Sequence, residues 1–440
     1  MPLDVSPPAR AQSRRASVSS FIGTTLEWYD FFVYGTTAAL VFGKLFFPDV
    51  SHVAGLLASF ATLAVGFAAR PLGGVLLGHF GDRLGRKRIL VLSLLGIGVS
   101  TVLIGCLPSY DRIGAAAPAL LVVLRLCQGI ALGGEWGGAA LMSIEHAPRH
   151  RRGLFGSATQ MGAPGGMLLA SGAVSVASAI SGDAYGAWGW RLPFLASAVI
   201  IVVGLVIRLR LAESPEFRRT VADRERTRLP IARVLRHDWR TVLLGAGMSG
   251  ANNAIYYTVA TYTLAYATGH LGISQDAVLH HVTLVGAVYL VTVPLFGALA
   301  DRVGLRRQVA IAALAGAVII VPYFLVIDTG NTLVILVAMV VALAVVQSAA
   351  YAPQPAIYAA LFRPEVRYTG ASLSYALPTT LIGGTAPFIG TALYAWTGGN
   401  MAFAIYIAAL GILATACAVT ARYAHETPAR TAGKTETAHV

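Results

Sequence analysis

Gly78-His79-Phe80-Gly81-Asp82-Arg83-Leu84-Gly85-Arg86-Lys87-Arg88 and Gly297-Ala298-Leu299-Ala300-Asp301-Arg302-Val303-Gly304-Leu305-Arg306-Arg307 share one pattern and lie half a chain length apart in a 440-residue protein. Each string follows one long apolar segment and precedes another, so the two mark corresponding turns of an internal repeat. Membrane proteins built as two related halves are typically secondary transporters that rock around a central site. The repeat therefore points to moving a solute rather than transforming it.

Composition agrees. Hydrophobic residues make up 56% of the chain and charged residues 12%. The charged share of soluble domains is about 25%. Mean hydropathy is +0.68. A bilayer-crossing helix needs about 20 apolar residues. Twelve such segments begin near Ser19, Val53, Ile89, Ala117, Gly153, Trp190, Thr241, Leu279, Gln308, Thr332, Thr369 and Asn400. The expected architecture is all-α and integral to the membrane. It comprises a tail (1–18), a six-helix bundle (19–211), an Arg-rich linker (212–240), a second six-helix bundle (241–423) and a polar tail (424–440). The three cysteines, Cys106, Cys127 and Cys417, have no disulfide or metal-ligand spacing. Residues 1–18 are polar with three Arg and lack a cleavage pattern, so the first apolar segment reads as a retained helix.

The net charge of +13 raises the possibility of a nucleic-acid partner, and its placement argues against one. With twelve spans and both termini inside, the cytoplasmic segments collect Arg10, Arg14, Arg15, Arg83 to Arg88, Arg149, Arg151 and Arg152. They also collect the ten Arg between Arg208 and Arg240, then Arg302, Arg306, Arg307, Arg363 and Arg367. The outer segments hold Lys44, Arg112 and Arg191. This is the positive-inside asymmetry, and it orients the chain with its linker at an anionic inner leaflet.

The Gly-x-x-x-Asp-Arg-x-Gly-x-Arg-Lys/Arg turn resembles the signature loop of the major facilitator superfamily. Further strings resemble its metabolite:H+ symporter family. These are Glu27-Trp-Tyr-Asp30-Phe-Phe-Val-Tyr34-Gly35, Arg70-Pro71-Leu-Gly73-Gly74, and Arg125-Leu-Cys-Gln128-Gly129 with Gly133-Gly134-Glu135-Trp136-Gly137-Gly138. Trp190-Arg191-Leu-Pro193-Phe194, Glu213-Ser-Pro-Glu216-Phe217 and Val366-Arg367-Tyr368-Thr369-Gly370 complete the set. The resemblance runs from about Gly23 to Trp396 and implies proton-coupled import of a small organic acid or zwitterion. Osmosensing members of that family carry a long C-terminal coiled coil, and the tail here has no heptads. Gly162-Ala-Pro164-Gly165-Gly166 is similar to a motif of antiporters.

Ionisable residues inside the hydrocarbon layer are costly and mark function by default. The deep acids are Glu27, Asp30 and Glu135, the deep bases are Arg70 and Arg125, and no histidine lies in mid-span. Proton coupling must then use a carboxylate. Asp30 leads as carrier, followed by Glu135 and Glu27. Helical rise puts Asp30 about 16 Å from the inner face and Arg125 about 8 Å from the outer face, within guanidinium reach of one another. Burial favours a neutral carboxyl and a nearby Arg favours its anion, so a pair that makes and breaks would load and release a proton. The bland reading of the same pair is a permanent bridge between the first and fourth spans.

Arg125, with Gln128 and Tyr34, is a candidate ligand for a solute carboxylate, or else only the partner of Asp30, or both in alternation. Arg70, directly before Pro71, is expected to bind backbone carbonyls freed by the kink. In the second half, Asn252, Asn253, Tyr256, Gln347, Tyr351, Gln354 and Tyr375 form a neutral cavity-lining set. Gly129, Gly133 and Gly137 form a small-residue stripe for close helix contact. Gly78, Asp82, Arg83, Arg86, Glu145, Arg151, Arg152, Asp301 and Arg302 are expected to latch the two halves on the inside.

Metal-ligand spacing, a Gly-rich phosphate loop and a nucleophile with a base in reach are all missing, which argues against an enzyme and against any cofactor beyond the proton. The expected partners are a small molecule, H+ and the lipid of a bacterial inner membrane. No nucleic acid and no obligatory protein partner are expected, and the chain is expected to be a monomer. A uniporter, an antiporter exporting a metabolite or drug, and a transporter-like receptor are the alternatives.

Overall fold

The computed structural model describes residues 7–74, 76–77, 86–133, 135–145, 147–209, 234–363 and 366–423. Among the described residues the chain is helical with no strand. The first half comprises α1 (Pro7–Thr37, prolonged through Ala38–Phe42 and Gly43–Phe46), α2 (His52–Gly74) and α3 (Arg86–Cys106). It continues with α4 (Ala116–Glu145), α5 (Arg152–Gln160 and Gly162–Ser181) and α6 (Arg191–Leu209). The second half opens with α7 (Trp239–Tyr257, Thr258–Tyr262 and Thr263–Gly269), α8 (Gln275–Val303) and α9 (Leu305–Ile327). It closes with α10 (Thr332–Leu361), α11 (Arg367–Pro378, Thr379–Gly383 and Ala386–Thr397) and α12 (Met401–Thr420).

Among the described residues, α2, α4, α5, α8, α9, α10 and α12 are each long and apolar enough to cross a bilayer alone, and α3 and α6 are apolar over Val91–Cys106 and Arg191–Val206. The remaining three helices, α1, α7 and α11, are diluted by the polar residues they carry. Large apolar side chains such as Val199, Val318, Leu333 and Val419 project outward with most of their surface exposed, as lipid contact requires.

The repeat is visible in the packing. In the first half α1 lies on α5 and α6, α2 on α4, and α3 on α6. In the second half α7 lies on α11 and α12, α8 on α10, and α9 on α12, the same pairs shifted by six helices. The halves meet along α5–α8 and α2–α11, again as corresponding seams. Close backbone approach sets the helix rotations. A Cβ on Gly129 would sit 2.0 Å from the Gly66 carbonyl oxygen, and one on Gly133 2.1 Å from that of Arg70, so α4 and α2 touch backbone to backbone. Gly137, the third member of that stripe, instead meets Ser372 of α11. Gly162, Gly165 and Gly166 let α5 lie against Thr24, Thr25 and Trp28 of α1. The turn between α8 and α9 passes through Gly304 at φ +99°, a conformation that a side chain would strain.

Candidate functional site: two ion pairs on one helix

Four charged side chains are buried among the described residues, Glu27, Asp30, Arg70 and Arg125, and all belong to the first half. They form two pairs. Spacing by three places Glu27 and Asp30 on neighbouring turns of α1. Each faces a guanidinium from a different helix.

Asp30 meets Arg125 of α4 at 3.7 Å (Oδ2 to Nη1). Its carboxylate also accepts hydrogen bonds from the Thr101 hydroxyl of α3 and from the Gln128 amide nitrogen. Gln128 Nε2 lies 2.8 Å from Thr101 Oγ1, and the Gln128 carbonyl oxygen accepts from Arg125 Nη1. The Arg125 guanidinium covers the Tyr34 ring, 3.0 Å from its centroid, and the Tyr34 hydroxyl bonds to Thr62 of α2. Phe42 and Phe194 pack around Tyr34. Every residue named in this group is from the first half. The expected reach between Asp30 and Arg125 is realised, and Tyr34 and Gln128 lie with them rather than between the halves.

Glu27 meets Arg70 at 3.2 Å (Oε1 to Nη2). Arg70 thus differs from its expected role: a carboxylate, instead of kink-exposed carbonyls, receives the guanidinium. Buried in a hydrocarbon layer, the cation gains more from an opposite charge than from neutral carbonyls. The guanidinium sits over Phe31 and Phe67, 4.6 and 4.8 Å from their centroids. Both rings touch Tyr257 of α7, at 6.4 and 5.4 Å. The Phe67 carbonyl accepts from Thr380 of α11 at 2.9 Å. This second pair therefore borders the seam between the halves.

The second half supplies neutral groups to that seam. Tyr256 packs edge-on against Trp28 at 5.0 Å, and Tyr375 stacks flat on Trp136 of α4 at 3.8 Å. Gln160 of α5 donates to the Tyr351 carbonyl at 3.1 Å and to Gln354 Oε1 at 3.5 Å, while accepting from Trp136 Nε1 at 3.2 Å. Asn252, Asn253 and Gln347 are buried, and Asn253 donates within α7 to the Ser249 carbonyl. Trp190 and Arg191 belong to architecture, since Arg191 donates to the Gly105 and Leu107 carbonyls at the end of α3.

At one end of the molecule Asp301 caps α5, accepting from Gly153 N at 2.7 Å and Leu154 N at 2.9 Å. A Cβ on Gly153 would meet the Gly297 carbonyl oxygen at 2.4 Å, so the first glycine of the repeated turn is a crossing point between the halves. Arg151 and Arg302 are exposed, and Glu145 and Arg152 are half-buried. Gly78, Asp82 and Arg83 lie outside the described residues, as do the side chains of Arg86 and Glu135. Thr62 and Thr101 were absent from the sequence-derived set. Each lies in an apolar run beside another hydroxyl, Ser59 for Thr62 and Ser100 for Thr101, so neither stands out in the sequence.

The family model for sugar (and other) transporters matches residues 16–238, and that for the major facilitator superfamily matches residues 243–439. The chain belongs to the major facilitator superfamily; it is a multi-pass membrane transporter and not an enzyme. It is 40% identical over 403 residues to the shikimate transporter of Escherichia coli K12, covering 91% of this chain and 92% of that protein. It is 32% identical over 420 residues to the proline/betaine transporter of the same organism, covering 92% and 83%. The crystal structure of a D-xylose-proton symporter shares the fold, with a TM-score of 0.72, 21% identity and coverage of 93% and 98%.

Proposed function

We propose that the chain imports a small carboxylate-bearing metabolite or zwitterion together with a proton, by alternating access, across a bacterial inner membrane. The observation that carries this reading is the Asp30 cluster. A titratable carboxylate sits fully buried with a cation 3.7 Å away and two hydrogen-bond donors on its oxygens. In one orientation Arg125 holds the carboxylate charged; when that contact loosens, burial favours the protonated form. Rocking along α5–α8 and α2–α11 would switch between the two. The curated relatives carry shikimate and proline or betaine, which are organic acids or zwitterions by name. Both termini and the Asp301 turn face the cytoplasm in this reading, the chain works as a monomer, and the proton is its only coupling species. The Gly162–Gly166 run, which resembles an antiporter motif, is accounted for by the packing of α5 on α1.

The test is external pH in lightly buffered, de-energised cells given shikimate, malate, citrate, proline or betaine. Alkalinisation with one compound is expected, and Asp30→Asn is expected to abolish both it and uphill accumulation. Accumulation against a gradient by Asp30→Asn at the wild-type level would overturn the assignment.

A further inference from the structure

The two ion pairs differ in what surrounds them, and we infer that they divide the work: Arg70, not Arg125, holds the solute's carboxylate, and Glu27 beside it sets which carboxylates are accepted. The inference rests on the transport reading and names the substrate contact within it. The hydrogen-bond, ion-pair and ring contacts of Arg125 are with Gln128, Asp30 and Tyr34, all of the first half. A solute lying between the halves would have to break into that set of contacts to reach it. Arg70 lies at the seam itself, between Phe31 and Phe67, the two rings that contact Tyr257.

Arg70 also retains binding capacity. It contacts Glu27 through one nitrogen, and its buried Nε makes no hydrogen bond; Arg125 likewise leaves Nε and Nη2 unbonded, so position at the seam rather than spare donors singles out Arg70. A guanidinium presents donors in a planar fork, so an edge not used by Glu27 can receive a second carboxylate. Around the same seam, Trp28 Nε1 and the hydroxyls of Tyr256 and Tyr257 are buried without a hydrogen-bond partner. Buried polar groups are nearly always hydrogen-bonded, so a set left unmet in one place points to an entering polar ligand. Indole and phenol donors suit oxygen acceptors, and aromatic faces suit a compact ring or methylated cation.

Glu27 then acts as a selectivity group. With the solute seated, two carboxylates share one guanidinium, a balance that one additional negative charge would upset. Monocarboxylates with hydroxyl substituents, or zwitterions whose cation can face Glu27, fit this arrangement. Dicarboxylates and tricarboxylates do not.

The experiment is gradient-free binding of labelled shikimate, betaine, malate and citrate to the purified full-length protein, which registers solute contacts independently of proton coupling. Wild type is expected to bind shikimate or betaine at least tenfold more tightly than malate or citrate. Arg70→Lys keeps the charge but loses the fork, and is expected to raise the Kd of the preferred compound at least tenfold. Glu27→Gln is expected to narrow the preference over malate at least threefold. A preference for citrate or malate in wild type, or an unchanged Kd in a monodisperse Arg70→Lys preparation, overturns the inference. Failure of the proton-coupling reading would appear separately, as wild-type solute uptake without alkalinisation.

Discussion

One turn of α1 separates a pair sealed inside the first half from a pair at the boundary between halves. Asp30–Arg125 is wrapped by Thr101, Gln128, Tyr34 and Thr62, all from the first half. Glu27–Arg70 looks across Phe31 and Phe67 to α7 and α11, which belong to the other half. The difference teaches that depth in the membrane does not by itself assign a charge its role. Two equally buried pairs on one helix face different neighbours, and a group can respond only to what reaches it. A sealed pair is suited to a proton, which needs no cavity, and a boundary pair to a solute, which does.

The sharpest way to break the contrast is Arg125→Ala. Removing one member of a sealed pair leaves a buried carboxylate with no compensating charge, for a loss of about 3–5 kcal/mol. Thermal unfolding of the purified protein should show it, and adding Asp30→Asn should recover a large part of the loss. A wild-type melting profile for the single variant would mean that the pair is not sealed. Next in size is Thr101→Val, which keeps the shape but removes a hydrogen bond to the carboxylate, for about 1.5–3 kcal/mol. Its melting temperature should fall between wild type and Arg125→Ala. The smallest effect expected is that of Asp301→Ala, where losing the α5 cap should cost about 1 kcal/mol. Since that cap joins the halves, the loss should be accompanied by faster labelling of a cysteine introduced at Ser157 on the Asp301 end. Unchanged labelling would show that the cap merely finishes a helix.

Much of this organisation is legible in the chain itself. The repeated turn, the length of the apolar segments and the list of deep charges lead to the fold and to Asp30 and Arg125 without any coordinates. The misassigned role of Arg70 shows where that reading stops. Helical rise gives the level of a residue, but its azimuth depends on how helices rotate against each other. That rotation is set by contacts such as Gly129 on Gly66 and Gly133 on Arg70, which join residues distant in sequence. Glu27 and Arg70 are 43 residues apart and sit on adjacent helices whose relative rotation no local pattern reports. The same limit hides Thr101, whose hydroxyl is indistinguishable in sequence from those that bond only to their own helix, as Thr258 does to the Ala254 carbonyl.

Keeping the four buried charges among the described residues as two neutral pairs in one half also has an electrical consequence. A transmembrane voltage does work only on net charge displaced through it, about 2.3 kcal/mol per elementary charge per 100 mV. Rocking these two neutralised pairs carries no such charge, so among the described groups voltage acts on the proton and its passenger. A monocarboxylate anion entering with one proton should then leave no current, whereas a zwitterion entering with one proton should carry a single positive charge inward. Currents from proteoliposomes on a supported membrane would report the passenger's charge directly.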